Sequence, residues 1–95
     1  MIIVAGHLTV EPDNRHAILR RNREVMVAAR SAPGCLAFQL SADVIEIDRI
    51  NIFEQWENAD AVERFRGTGP DDEQRAGIVD ADVHQYDVTT STSLS

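Results

Sequence analysis

Residues Ile2 to Val10 alternate as a strand does, but the run starts apolar on both sides. Ile2, Val4, Leu8 and Val10 fall on one face, with Gly6 among them, and Ile3, Ala5, His7 and Thr9 fall on the other. An open antiparallel sheet usually leaves one face to water. This strand instead asks for cover on both faces, and a chain of 95 residues has little to offer. Folded alone, a domain of that size buries only about 60–65% of its extended surface.

The remaining residues supply cover for one face. Glu11-Pro12-Asp13 opens a helix, with proline suited to its first position and acids opposing the macrodipole. The pattern predicts that this helix runs to about Ala32 and stops at the breaker pair Pro33-Gly34. Ile18, Leu19, Val25, Met26, Ala29 and Ala32 share one arc, with Arg20, Arg21, Arg23 and Arg30 mostly outside it. A second strand is expected from Cys35 to about Ala42, with Leu36, Phe38 and Leu40 on one face. A turn falls within 43–48, where Val44, Ile45 and Ile47 sit among acids. A third strand follows from Arg49 to Trp56, with Ile50, Ile52, Glu54 and Trp56 on one face and Asn51, Phe53 and Gln55 on the other. Asn58 is a good N-cap for a helix over Ala59 to Arg66, which Gly67-Thr68-Gly69 ends. Pro70 to Glu73 reads as a short helical turn. Asp82 to Val88 reads as a last strand, in which His84, Tyr86 and Val88 alternate with Val83, Gln85 and Asp87.

The order β-α-β-β-α-β is that of the ferredoxin-like α+β fold, with two helices on one face of a four-stranded antiparallel sheet. A single domain over residues 1–88 is expected, followed by a loose Ser/Thr-rich tail at 89–95. Nothing in the chain remains for the other face, which carries Ile3, Ala5 and Phe53. The expected solution is a homodimer with two sheets face to face, burying on the order of 2000 Å² in total.

Composition narrows the function. A net charge of −7 disfavours nucleic acid and anionic membranes. There is no apolar run long enough to span a membrane and no basic n-region of a signal peptide, so a cytoplasmic location is the default. Cys35 is the single cysteine, which forbids an intrachain disulfide. No metal-binding spacing and no phosphate loop are present, and His7, His16 and His84 are too scattered to form a metal site.

Two motifs carry a resemblance. Ala32-Pro33-Gly34-Cys35-Leu36, followed by Phe38, Leu40 and Asp43, resembles the second-strand signature of the antibiotic biosynthesis monooxygenase-like domains. Phe53-Glu54-Gln55-Trp56-Glu57-Asn58-Ala59-Asp60-Ala61 resembles their strand end that feeds a helix. The resemblance implies a dimeric α+β barrel and no metal or organic cofactor. It also implies a planar, mostly apolar ligand, aromatic or quinol-like, between sheet and helices, with O₂ as co-substrate in the oxygenase branch. Many members carry a histidine nine residues after the tryptophan, where this chain has Phe65; the heme-degrading branch carries an asparagine where this chain has Gly6. Heme degradation is therefore not expected.

On this reading the candidate catalytic residues are Trp56, Asn22 and Glu54, and the candidate substrate-binding residues are Phe38, Phe65 and Ile52. Trp56 is either a hydrogen-bond donor to a substrate or peroxide oxygen, or a core residue whose indole N–H needs an internal acceptor. Glu54 is either a general base or the partner of an arginine such as Arg15 or Arg49, because a buried carboxylate is costly unless paired. Asn22 sits where the helix wants an apolar side chain. It either lines the ligand cleft or bonds a nearby carbonyl or buried water. Cys35 reads as a small buried hydrophobe. The functions that follow are a cofactor-independent monooxygenase or oxidase, a non-catalytic ligand-binding dimer, or an isomerase or lyase of a polyketide-like compound.

Overall fold

The chain's first strand turns out to be an interior one. In a computed structural model, which describes residues 1–67 and 76–95, β1 (Ile2–Val10) pairs antiparallel with both β3 (Arg49–Trp56) and β4 (Ile78–Asp87). β2 (Cys35–Ala42) pairs antiparallel with β3, so the sheet order is β2-β3-β1-β4. Helices α1 (Arg15–Arg21), α2 (Arg23–Arg30) and α3 (Ala59–Arg66) complete the ferredoxin-like α+β fold, α1 being preceded by a 3₁₀ turn at Pro12–Asn14. Among the described residues no helix is long and apolar enough to cross a membrane.

The alternation sorts the faces. Ile2, Val4, Val10, Ile50, Glu54 and Trp56 are all buried under the helices. On the opposite face the register sets Ala5 between Phe53 and His84, and Ile3 between Gln55 and Tyr86. Ile3, Ala5 and Phe53 are only half-buried there, and Tyr86 is exposed. His84, whose face the alternation left open, shares this outer face with Tyr86 and pairs with Asp82 at 2.7 Å.

Four expectations are corrected. The single helix to Ala32 is two helices broken at Asn22, whose backbone sits at φ −90°, ψ 3°. The apolar arc runs on through that break, but the Asn22 amide folds back to donate to the Ile18 carbonyl at 2.8 Å, competing with the helical ladder. In β2 the register shifts between Cys35 and Ala37, so Cys35 faces Trp56 and packs on the core while Leu36 is exposed rather than in line with Phe38 and Leu40. β4 begins at Ile78, four residues before the expected Asp82, with a second register shift inside it, opposite Thr9 and Val10. Arg15 does not reach Glu54. Its guanidinium donates to the carbonyls of Asp43 and Glu46 at 3.0 Å and of Arg49 at 3.3 Å, tying α1 to the β2–β3 hairpin. The expected helical turn at Pro70 to Glu73 lies outside the described residues, and no helix or strand forms after Asp87.

That hairpin presents Val44, Ile45 and Ile47 to solvent, and Asp43 fixes its shape. The Asp43 carboxylate accepts from the Glu46 amide at 2.8 Å, the Asn51 side chain at 2.8 Å and the Ile45 amide at 3.0 Å. Those donors hold its carboxyl down at about 2, so the turn keeps its charged acceptor over the whole range above the ordinary carboxylate value.

Candidate functional site

A cleft of about 600 Å³ runs between the sheet and the helices. Its walls are mostly apolar, with Leu8, Leu40, Ile50 and Ile52 from the strands and Ile18 and Leu19 from α1. Phe38, Phe65, Ile52, Glu54 and Asn22 all line it, so five of the six residues selected from the sequence meet in one place.

Glu54 is the centre of the polar chemistry. Only 4% of its surface is exposed, and its Oε1 accepts from the Trp56 indole at 3.0 Å. Arg66, at the end of α3, donates to Oε1 at 2.7 Å and to Oε2 at 2.9 Å. The arginine partner of Glu54 is thus Arg66, not Arg15 or Arg49. Both carboxylate oxygens are bonded, which satisfies a charge that would otherwise be costly to bury. The pair is asymmetric, since the Arg66 side chain is 45% exposed while that of Glu54 is 5% exposed. One side of the guanidinium therefore faces outward from a nearly dry carboxylate.

Trp56 stands behind Glu54, fully buried and outside the lining of the cleft. Its single N–H is committed to Glu54, so it orients the carboxylate and does not present a donor to the cleft. Its ring lies 5.4 Å from Phe65 and 6.4 Å from Phe38, and those two rings lie 5.8 Å apart. Such a triad of tilted and edge-to-face rings is rigid as well as apolar. Asn22, half-buried, lines the cleft and spends one of its two side-chain amide hydrogens on Ile18.

Arg66 is the residue that sequence reasoning missed. It lines the cleft and makes the only ion pair to Glu54 among the described residues. A basic residue in the last turn of α3 was visible, but helix-end arginines are common on solvated faces. Only the docking of α3 on β3 shows that this one reaches back to the strand.

Cys35 behaves as a small core residue. Its thiol donates to the Ala37 carbonyl at 3.6 Å, and burial pushes it up from its ordinary value, away from thiolate chemistry. Gly6 has no room for a side chain. It lies at φ +149°, and a Cβ there would sit 2.0 Å from the Asp82 carbonyl oxygen of β4. The polar side chain that the heme-degrading branch carries at this position cannot be accommodated on this backbone. Among the described residues no three His, Cys, Asp or Glu side chains gather closely enough to hold a metal ion.

Comparison with known proteins places this geometry. The family model of the antibiotic biosynthesis monooxygenases matches residues 1–79. An uncharacterized protein of Synechocystis is 31% identical over 62 residues, covering 65% of this chain, and the chain spans 42% of that relative's length. Among solved structures, a protein of Deinococcus radiodurans bearing the same family name superposes with a TM-score of 0.75 at 18% identity, covering 100% of this chain and 99% of the other. One from Nitrosomonas europaea gives 0.79 at 12% identity, covering 95% and 100%. At such identities the structural likeness speaks for the fold alone.

Proposed function

The chain belongs to the antibiotic biosynthesis monooxygenase family, and from that premise we propose that it oxidises a small planar aromatic or quinol-like substrate with O₂, without a metal or organic cofactor. The observation that carries the reading is a mostly apolar cleft of about 600 Å³ in which one carboxylate, Glu54, is held in place by Trp56 and Arg66. A flat apolar substrate fits such walls, and the carboxylate is the natural acceptor for its proton.

The chemistry then belongs largely to the substrate. An anthrone-like CH₂ or a phenol loses a proton to Glu54, and the resulting anion passes one electron to O₂. The two radicals combine into a carbon–oxygen bond, giving a peroxide. Arg66 and the Asn22 amide are the donors available to that peroxide oxygen. Loss of the second C–H proton, with cleavage of the O–O bond, leaves a new carbonyl and one molecule of water. For a quinol the same first steps end in quinone and hydrogen peroxide.

Oxygen uptake by the purified protein over a panel of anthrones and quinols tests this. Turnover is expected on at least one, and Glu54→Gln is expected to lower kcat by roughly 10²-fold or more, as removal of a general base does. Glutamine keeps one oxygen for Trp56 and Arg66, and circular dichroism checks that the variant is folded. Turnover of Glu54→Gln within threefold of the wild type sinks the assignment of the base. No uptake anywhere on the panel favours the second reading, a non-catalytic binding dimer, for which Phe65 in the position of the family histidine speaks.

The dimer is part of the proposal. Ile3, Ala5, Phe53 and Tyr86 form an apolar patch on the face the helices leave open, and a second copy is the simplest cover. Sedimentation at micromolar concentration is expected to give twice the 10.6 kDa of one chain, and Phe53→Asp is expected to shift it toward the monomer. A wild-type monomer under those conditions rules the dimer out.

A further inference from the structure

Phe65 touches more than the cleft. A second, smaller cavity of about 210 Å³ also meets it, lined by Ala32, Pro33, Ala61, Arg64 and Phe65. Among the described residues Phe65 is the one common to the linings of both cavities. From this we infer that Phe65 is the end wall of the cleft and sets the length of the fused-ring ligand it admits. The inference rests on the reading of the cleft as a ligand site and deepens it.

The surroundings explain why the wall is fixed. The Phe65 ring is braced on one side by Trp56 at 5.4 Å and on another by Phe38 at 5.8 Å. Trp56 cannot yield, since it is fully buried and bonded to Glu54. The smaller cavity is otherwise walled by small or cyclic side chains, Ala32, Pro33 and Ala61, and by Arg64. Removing the Phe65 ring joins the two spaces into one longer slot with the same apolar character. A histidine in this position would bring a polar edge to the same wall; phenylalanine makes it wholly apolar. The chain thus favours ligands that end at the Phe65 ring over longer ones in line.

The test needs no turnover. Dissociation constants for a linear series of hydroxyquinones with two, three and four fused rings are read from quenching of Trp56, the single tryptophan. The readout is the ratio of four-ring to two-ring affinity. In Phe65→Ala this ratio is expected to rise at least tenfold over the wild type, and in Phe65→Leu by less. Phe65→Trp is expected to lower three-ring affinity relative to two-ring. Filling the smaller cavity with Ala32→Leu in the Phe65→Ala background is expected to restore the wild-type ratio, which a general loosening of the core would not do. Should Phe65→Ala fail to fold, the opposite shifts of Phe65→Leu and Phe65→Trp carry the same decision. A ratio that stays within twofold across the folded variants overturns the end-wall role and leaves the oxygenase reading standing. No quenching by any member, with wild type or variants, overturns both.

Discussion

Trp56→Ala is expected to lower stability by about 3–5 kcal/mol, the range for deleting a large aromatic from a packed core. Domains of this size are stable by only about 5–15 kcal/mol, so the variant should be close to the edge of folding. Two losses add. The hydrophobic loss is that of a fully buried ring in contact with Phe38 and Phe65. The polar loss is that of the indole N–H on Glu54 Oε1, a hydrogen bond to a charged group worth about 1.5–3 kcal/mol. Trp56→Phe separates them, because it keeps most of the apolar area and removes the donor. Urea unfolding followed by circular dichroism, at one fixed protein concentration, gives both numbers. A loss below about 1 kcal/mol for Trp56→Ala would show that the ring cluster does not hold the helices to the sheet.

Gly6→Ala should be nearly as damaging although it adds a single methyl group. The backbone at φ +149° is closed to residues with a Cβ, which costs about 1–3 kcal/mol in strain. The added carbon would also lie 2.0 Å from the Asp82 oxygen and 2.8 Å from the Val83 Cα, both backbone atoms of β4. Backbone cannot rotate aside, so β4 must move off β1. Gly67→Ala is the control. Gly67 also has positive φ, at +53°, but among the described residues nothing lies within 4 Å of its would-be Cβ. Thermal unfolding should show a clearly larger loss for Gly6→Ala than for Gly67→Ala, and hydrogen exchange should show the excess in the amides of β4. Equal losses would mean that the close approach of β4 is not a constraint on the fold.

The strand faces were legible because a period of two leaves no freedom. Once Ile50, Ile52 and Trp56 point inward, Glu54 must do so as well, and its place at the cleft followed from alternation alone. Phe38 reached the same place by the same rule and Phe65 through the family resemblance, and the N-cap at Asn58 was local enough to read, its side chain accepting from the Ala61 amide at 2.9 Å. What could not be read depends on single residues or on distant docking. The extra residue that turns Leu36 outward changes no residue type, and neither does the early start of β4 at Ile78. The arc of α1 and α2 continues in phase across Asn22, so periodicity cannot see the break there. Arg66 is separated from Glu54 by 12 residues, a loop and a helix, and no local rule links them. The role of Trp56 was left between donor and core until the distance to Glu54 decided which atom its N–H serves.

The interior position of β1 has a consequence in time. This strand leaves the ribosome before the rest of its sheet, and both of its partners come late, β3 at Arg49–Trp56 and β4 at Ile78–Asp87. Its last backbone link, from the Val88 amide to the Met1 carbonyl at 2.8 Å, forms across almost the whole chain. Non-local pairing of this kind slows folding, because loop closure must precede the contacts that reward it. Until β3 is made, then, a segment that is apolar on both faces waits with both edges unpaired. The nascent chain is at its most vulnerable to misassociation before β3 emerges, and holding chaperones would be expected to engage it at that stage.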